Sequence, residues 1–252
     1  MGSCSFYGRL RFGEKGINTI FRKDVFTVIK TINKKDVPIK FLSELSTDFN
    51  ENDIWILKIY NLQNEKIDKN RINLIKENGP KLTLPTFIDC KDKIYKIYQP
   101  KVSHIPIGNF HNLNENFKIF LSQLQFLHNK GLIHGDLSFS NLRKSLKDKI
   151  YIFDWEPVLH TNLNKKKYLR TTPYCISPFD LAQKKITFRS DRFALTSLYF
   201  IGLYDIRIAY QIIMDKNIKL IIDNFVEKYL NQNIHEYYDN LLLKKNIDDL
   251  SN

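Results

Sequence analysis

Apolar and polar positions along the chain follow two different periods. In the first hundred residues the apolar ones fall in short runs of strand type. Residues 9–12, 19–22 and 25–30 predict three strands, separated by turns at 13–18 and 22–24. Residues 82–88 and 93–98 alternate around a turn at Lys91 and Asp92, which predicts an antiparallel pair and completes a five-stranded sheet. Between these groups, residues 40–45 and 68–78 read as helices. Residues 53–60 read as an insertion packed on the sheet, and Gly79-Pro80 ends the second helix.

Beyond residue 112 the period changes. Phe117, Phe120, Leu121, Leu124 and Leu127 recur at three and four, which predicts an amphipathic helix over 112–130. Asn112 with Glu115 forms its capping box and Gly131 its end. A second helix opens at Ser190-Asp191-Arg192 and is almost wholly apolar to Gly202, the pattern of a helix buried on all sides. Residues 205–244 predict two or three amphipathic helices and residues 243–252 a frayed tail. The strand-rich first part and helical second part give an α+β class.

The chemistry is concentrated between the two long helices. Residues 132–141 read Leu-Ile-His-Gly-Asp-Leu-Ser-Phe-Ser-Asn, with His134 two residues before Asp136 and Asn141 five after it. Asp136 can orient a substrate hydroxyl and take its proton, while Asn141 can hold a metal ion on phosphates. A short apolar run, residues 150–153, ends in Asp154-Trp155-Glu156, which places a second carboxylate at the end of a strand.

H-G-D-L-S-F-S-N resembles the H-R-D-L-x-x-x-N loop of the protein-kinase-like superfamily, and Asp154 resembles the metal ligand of its D-F-G. Ser138 and the G-D-L-S-x-x-N run also resemble the atypical RIO-like kinases. Val28-Ile29-Lys30 resembles the strand whose lysine pairs with the nucleotide phosphates, and Gly13, Lys15 and Gly16 resemble a degraded glycine-rich phosphate loop. Thr172-Pro173 through Ser177-Pro178 resembles the end of an activation segment, with Phe179 in the place of its glutamate and Asp180 next. Asp191 resembles the carboxylate that braces the catalytic-loop backbone.

The resemblance implies a bilobal fold with a five-stranded small lobe over 1–98, a hinge at 99–102, and a trimmed helical large lobe over 103–252. It implies a site in which Lys30, Asp136 and Asn141 are catalytic and Asn141 with Asp154 binds metal. Gly13, Lys15, Gly16, Lys30, Glu44, Gln99 and Lys101 then contact nucleotide. Glu44 is the expected partner of Lys30, with Glu65 and Asp68 as rivals. The implied cofactors are ATP and Mg2+, with Mn2+ as a substitute. The implied activity is that of a serine/threonine protein kinase. A small-molecule or surface-sugar kinase is the alternative, and a non-catalytic binding module comes third.

Charge and cysteine content narrow the partners. The 252 residues carry 39 Lys and Arg against 27 Asp and Glu, a net charge of +12. That balance favours anionic partners without implying nucleic acid. Lys165, Lys166 and Lys167 are an expected docking site for an anionic or protein acceptor. Gly135 stands where many protein kinases carry an arginine that grips a phosphorylated segment, so activity is expected without such phosphorylation. Three widely spaced cysteines and 43% apolar residues, with no apolar run of membrane length, suggest a cytoplasmic protein, with delivery into another cell left open.

Overall fold

The computed structural model describes residues 12–13, 16–17, 27–61, 69–82, 84–92, 94–102, 105–106, 115–144, 150–152, 155, 176–183, 185–204 and 206–252. In chain order, β1 (Phe12–Gly13) and β2 (Gly16–Ile17) form a small ladder, followed by β3 (Thr27–Asn33), α1 (Ile39–Leu42), β4 (Ile54–Asn61), α2 (Lys69–Asn78), β5 (Phe87–Lys91) and β6 (Ile94–Pro100). Then come β7 (Ile105–Pro106), α3 (Glu115–Asn129), β8 (Leu142–Lys144), β9 (Ile150–Ile152), α4 (Pro178–Gln183) and α5 (Phe188–Leu203). The chain closes with α6 (Ile206–Met214), α7 (Lys216–Tyr229) and α8 (Ile234–Leu243). The class is α+β.

The main sheet departs from the expected one. Among the described residues it has four strands, all antiparallel, in the order β3-β4-β6-β5. The segment expected as an insertion is β4, an interior strand paired on both sides. Ile-Trp-Ile-Leu-Lys-Ile-Tyr is rich in β-branched and aromatic residues, which suits a strand paired along both edges. Two of the five expected strands, 9–12 and 19–22, lie almost wholly outside the described residues. The 82–88 expectation is displaced to β5, because Leu82 ends a tight turn begun at Gly79.

The two faces of this sheet have different partners. On one, Trp55, Phe87 and Tyr98 are buried against Val37 and Phe41, with Leu57 and Leu42 packed beside them. On the other, Tyr60, Ile88, Tyr95 and Ile97 pack on Ile72 and Ile75 of α2. The second cluster is continuous with Phe120, Leu124 and Leu127 of α3 and with Phe193, Leu198 and Phe200 of α5, so one apolar core runs from the sheet into the helices. At about 25 cal/mol per Å2 of apolar area removed from water, such a core is the main force holding α2 between them.

In the helical part, α5 is buried from Arg189 to Gly202, as its apolar sequence predicts. Thr187 caps it, its Oγ1 accepting from the Arg189 N–H at 3.1 Å, while Ser190 Oγ accepts from the Thr187 N–H. Arg189 binds Asp223 of α7 at 2.9 Å and also Glu227. Arg192 donates to the Gln232 carbonyl at 2.9 Å, at the start of α8. The tail expected to fray instead turns at Asp248–Leu250, with Ile247 buried. Among the described residues no helix is long and apolar enough to cross a membrane.

Gly79 ends α2 at a point of backbone contact. Its carbonyl accepts from the Thr86 N–H at 2.9 Å, and a Cβ at this position would lie 1.9 Å from the Thr86 oxygen. The obstacle is backbone, so no rotamer change relieves it. Gly79→Ala is expected to cost about 3 kcal/mol, a fall in Tm of about 6–12 °C, measurable by thermal melting. A variant melting within 2 °C of the parent, roughly 1 kcal/mol or less, would contradict this packing.

Candidate functional site

The site is assembled where α3 ends. The Gly131 N–H donates to the His128 carbonyl and the Leu132 N–H to the Leu127 carbonyl, both at 2.9 Å. Gly131 has φ +77°, the left-handed conformation that closes a helix with least strain in glycine. The chain then runs through residues 132–138 into a short 3-10 turn, Phe139–Asn141, and on into β8. Asn141 is therefore placed on the strand boundary, five residues from Asp136 but folded back onto it.

Asn141 and Asp136 do come together. The Asn141 Nδ2 donates to the Asp136 carbonyl at 2.8 Å and to its carboxylate Oδ2 at 3.3 Å. Asn141 is buried and Asp136 half-buried. The amide nitrogen is thus committed to Asp136, so Oδ1 is the end of Asn141 that can face a cation. The Asp136 N–H donates to Nδ1 of His134 at 3.3 Å, and the buried imidazole stands edge-on to the Trp155 ring at 4.6 Å.

Asp191, at the start of α5, holds the loop from beneath. It is 0% exposed. Its Oδ2 accepts from the His134 N–H at 2.9 Å and faces His128 Nε2 at 2.9 Å, and its Oδ1 accepts from the Gly135 N–H at 2.8 Å. Burial pushes this carboxyl up, but the hydrogen bond and charge of His128, with the Gly135 N–H, more than reverse that. Its pKa lies below the ordinary carboxylate value. Gly135 has φ +80°, which aims its N–H at the carboxylate. A side chain in this conformation costs roughly 1 kcal/mol or more, so glycine suits position 135.

Other expected site residues lie apart from this loop. Lys30 is exposed, and its register partner is Leu57, on the sheet face that packs against α1. The lysine on the other face is Lys58, half-buried, paired with Ile97 of the α2-side core. Glu44 is exposed just beyond α1, on the side of the sheet away from α2. The Val-Ile-Lys run at residues 28–30 puts Lys30 on β3, at the edge of the four described strands, while Ile-Leu-Lys-Ile puts Lys58 on the interior strand β4, which only strand order shows.

The expected hinge is also committed locally. Gln99 is buried, its Nε2 donating to Thr86 Oγ1 at 2.9 Å, and its backbone belongs to β6 opposite Ile56. The Lys101 N–H donates to the Ile54 carbonyl at 2.9 Å and its carbonyl accepts from Asn52 Nδ2 at 2.6 Å, so the Lys101 N–H already has a partner. Gly13 and Gly16 face each other across the β1–β2 ladder. Lys15, Glu65, Asp68, Asp154, Lys165, Lys166, Lys167, Thr172 and Pro173 lie outside the described residues. Near Asp154 in sequence, the described Ile152 pairs with Leu142, next to Asn141, and the Trp155 ring lies against His134. Among the described residues no three His, Cys, Asp or Glu side chains cluster as metal ligands.

At the end of the activation-like segment, Phe179 is half exposed while Asp180 is buried, accepting from Thr187 Oγ1 at 3.0 Å and from Ser190 Oγ. Asp180 thus faces hydroxyls. The nearby cation, Arg189, is taken by Asp223 and Glu227.

The depressed pKa of Asp191 sets a pH dependence. Its stabilising contribution is complete above the unfolded-chain pKa of about 3.9 and fades as pH falls through the lower folded value. Asp191→Asn removes one acceptor from three donors and should cost about 3 kcal/mol at pH 7. The gap in Tm between parent and variant should close as the pH drops towards 3. Thermal melts between pH 7 and 3 check this, and a gap that stays constant would contradict it.

No protein-family model matches this chain, and no curated protein matches it.

Proposed function

We propose that the chain is an ATP-dependent phosphotransferase with a bilobal, kinase-like arrangement, moving the γ-phosphoryl group to a hydroxyl, and that a protein serine or threonine is the acceptor class. The observation that carries this reading is the joining of Asp136 and Asn141 on a loop whose backbone is anchored to a buried carboxylate. A half-buried aspartate next to a metal-capable amide, held by backbone rather than by mobile side chains, suits a reaction that depends mainly on positioning and charge neutralisation.

The chemistry assigned to each residue follows from its atoms. Asp136 accepts the acceptor hydroxyl's hydrogen bond and takes its proton as the new O–P bond forms. The bond from the γ-phosphorus to the β–γ bridging oxygen breaks and ADP leaves. Asn141, through Oδ1, and Asp154 would hold Mg2+, which supplies charge neutralisation on the phosphates. Lys58, on the sheet face that α2 covers, is the phosphate-contacting lysine in place of Lys30. Glycine at 135 has no side chain for a phosphorylated segment to grip, which supports activity without prior phosphorylation.

A small-molecule or sugar acceptor is the second reading, and Ser138 favours it. This residue is 1% exposed, and residues 132–142 contain no lysine or arginine, so the loop itself offers no cation beside Asp136 for the transferred group. Incubation with labelled ATP, with generic protein acceptors and then with small alcohols, separates the two readings.

Substitutions test the assignment. Asp136→Ala should lower the transfer rate about 100- to 10,000-fold while leaving the Mg-ATP thermal shift in place. Lys58→Ala should abolish most of that shift and Lys30→Ala should leave it unchanged. Near-normal turnover by Asp136→Ala would overturn the reaction proposed, and loss of the shift in Lys30→Ala alone would overturn the choice of lysine.

A further inference from the structure

The peptide group joining Ile133 to His134 is held on both edges. Its N–H donates to Asp191 Oδ2 at 2.9 Å, and its C=O accepts from Nη1 of Arg71 on α2. In a trans peptide these two groups point in opposite directions. Helices α2 and α5 therefore grip one plane from opposite sides, two residues before Asp136.

Arg71 is not a surface side chain that happens to reach this far. It is 5% exposed and shares the buried side of α2 with Ile72, Ile75 and Asn78, at spacings of one, four and seven. Burying a guanidinium costs several kcal/mol unless its donors are met, so its placement needs a compensating bond such as the one to Ile133. The acidic residue of α2, Glu77, is exposed. α2 thus sends a cation to the loop backbone.

We propose that Arg71 is a positioning residue that couples α2 to the catalytic loop, so that the helix packed beneath Lys58 sets the orientation of Asp136. The effect on turnover rests on the phosphotransferase reading above, whereas the clamp itself does not. Ile72 and Ile75 share one buried cluster with Tyr60, Ile88 and Ile97, on the face of the sheet that carries Lys58, and α2 packs against β5 of that sheet. A shift of that face on nucleotide binding is passed by α2 to Arg71, and by Arg71 to the Ile133 carbonyl. Asp191 provides the fixed side, because α5 is buried along its length.

The test uses Arg71→Met, which keeps the stem and removes the donors, and Ile213→Val, at a buried position of α6, as a control that loosens the core away from α2 and the loop. Two measurements are made: hydrogen exchange of the backbone amides at residues 132–136, and steady-state kinetics. In Arg71→Met these amides should exchange about tenfold faster, the equivalent of about 1.4 kcal/mol or one net hydrogen bond, while those of α5 keep their rates. The kcat should fall by a similar factor with KM for ATP changed less than twofold. The Ile213→Val control should lower Tm and leave both readouts in place. Should Arg71→Met fail to fold, Arg71→Lys, which keeps the charge but loses the planar fork, is read in the same way. Unchanged loop exchange overturns the clamp, and faster exchange with unchanged kcat overturns the coupling to turnover. If the parent protein transfers no phosphoryl group, the phosphotransferase reading falls by itself and exchange still decides the clamp.

Discussion

The Asp191 carboxylate is the interaction on which the rest of the site depends. A fully buried charge with no partners is among the most costly features a fold can contain. Here both oxygens are met, by the His128 ring and by the N–H groups of His134 and Gly135. These donors come from the end of α3 and from the loop that follows it. One side chain therefore sets the position of α5 against α3 and the path of the chain leading to Asp136. Its lowered pKa says the same in electrostatic terms: the donors favour the ionised form by more than burial opposes it.

That arrangement requires α5 to be immobile, and its surroundings make it so. Arg189 reaches Asp223 and Glu227 of α7, and its guanidinium lies 4.5 Å from the centre of the Phe179 ring. Arg192 donates to carbonyls at the start of α8 and stacks over Tyr237 at 4.9 Å. Thr196 shares a hydrogen bond with the Tyr237 hydroxyl. Arg189, Arg192 and Thr196 of this buried helix are thus its attachments to α7 and α8, and its apolar residues form the core. A fixed geometry at Asp136 follows from rigid packing some distance below it.

The sheet reaches the same loop by another route. Tyr60, Tyr95 and Ile97 bury the inner face against α2, and α2 sends Arg71 into the loop. The net charge of +12 is spread over the chain, but two of its cations, Lys58 and Arg71, are withdrawn from the surface near this axis. An arginine part-way into a protein needs an anion or a carbonyl nearby, and the Ile133 carbonyl meets that need for Arg71.

Local spacing was enough to read the loop, because its chemistry is compact. His134, Asp136 and Asn141 lie within eight residues, and the turn that folds Asn141 back onto Asp136 needs no distant partner. The helical period at Phe117 through Leu127 and the unbroken apolar run after Asp191 were equally legible, since one face or all faces of a helix repeat along the chain. Asp191 was singled out by its place at the head of that helix, but its three donors belong to residues 56 to 63 positions away. The choice between Lys30 and Lys58 was not in the local pattern. Each sits in a β-branched strand, and only the pairing order, β3-β4-β6-β5, makes one strand interior and gives its lysine the face that α2 covers. The same holds for Arg71: its helix could be read from the sequence, but its hydrogen bond to Ile133, 62 residues on, could not. Sequence determines which residues alternate or recur. Which face meets which neighbour is decided by long-range packing, because burial is a property of the assembled core and not of any one segment.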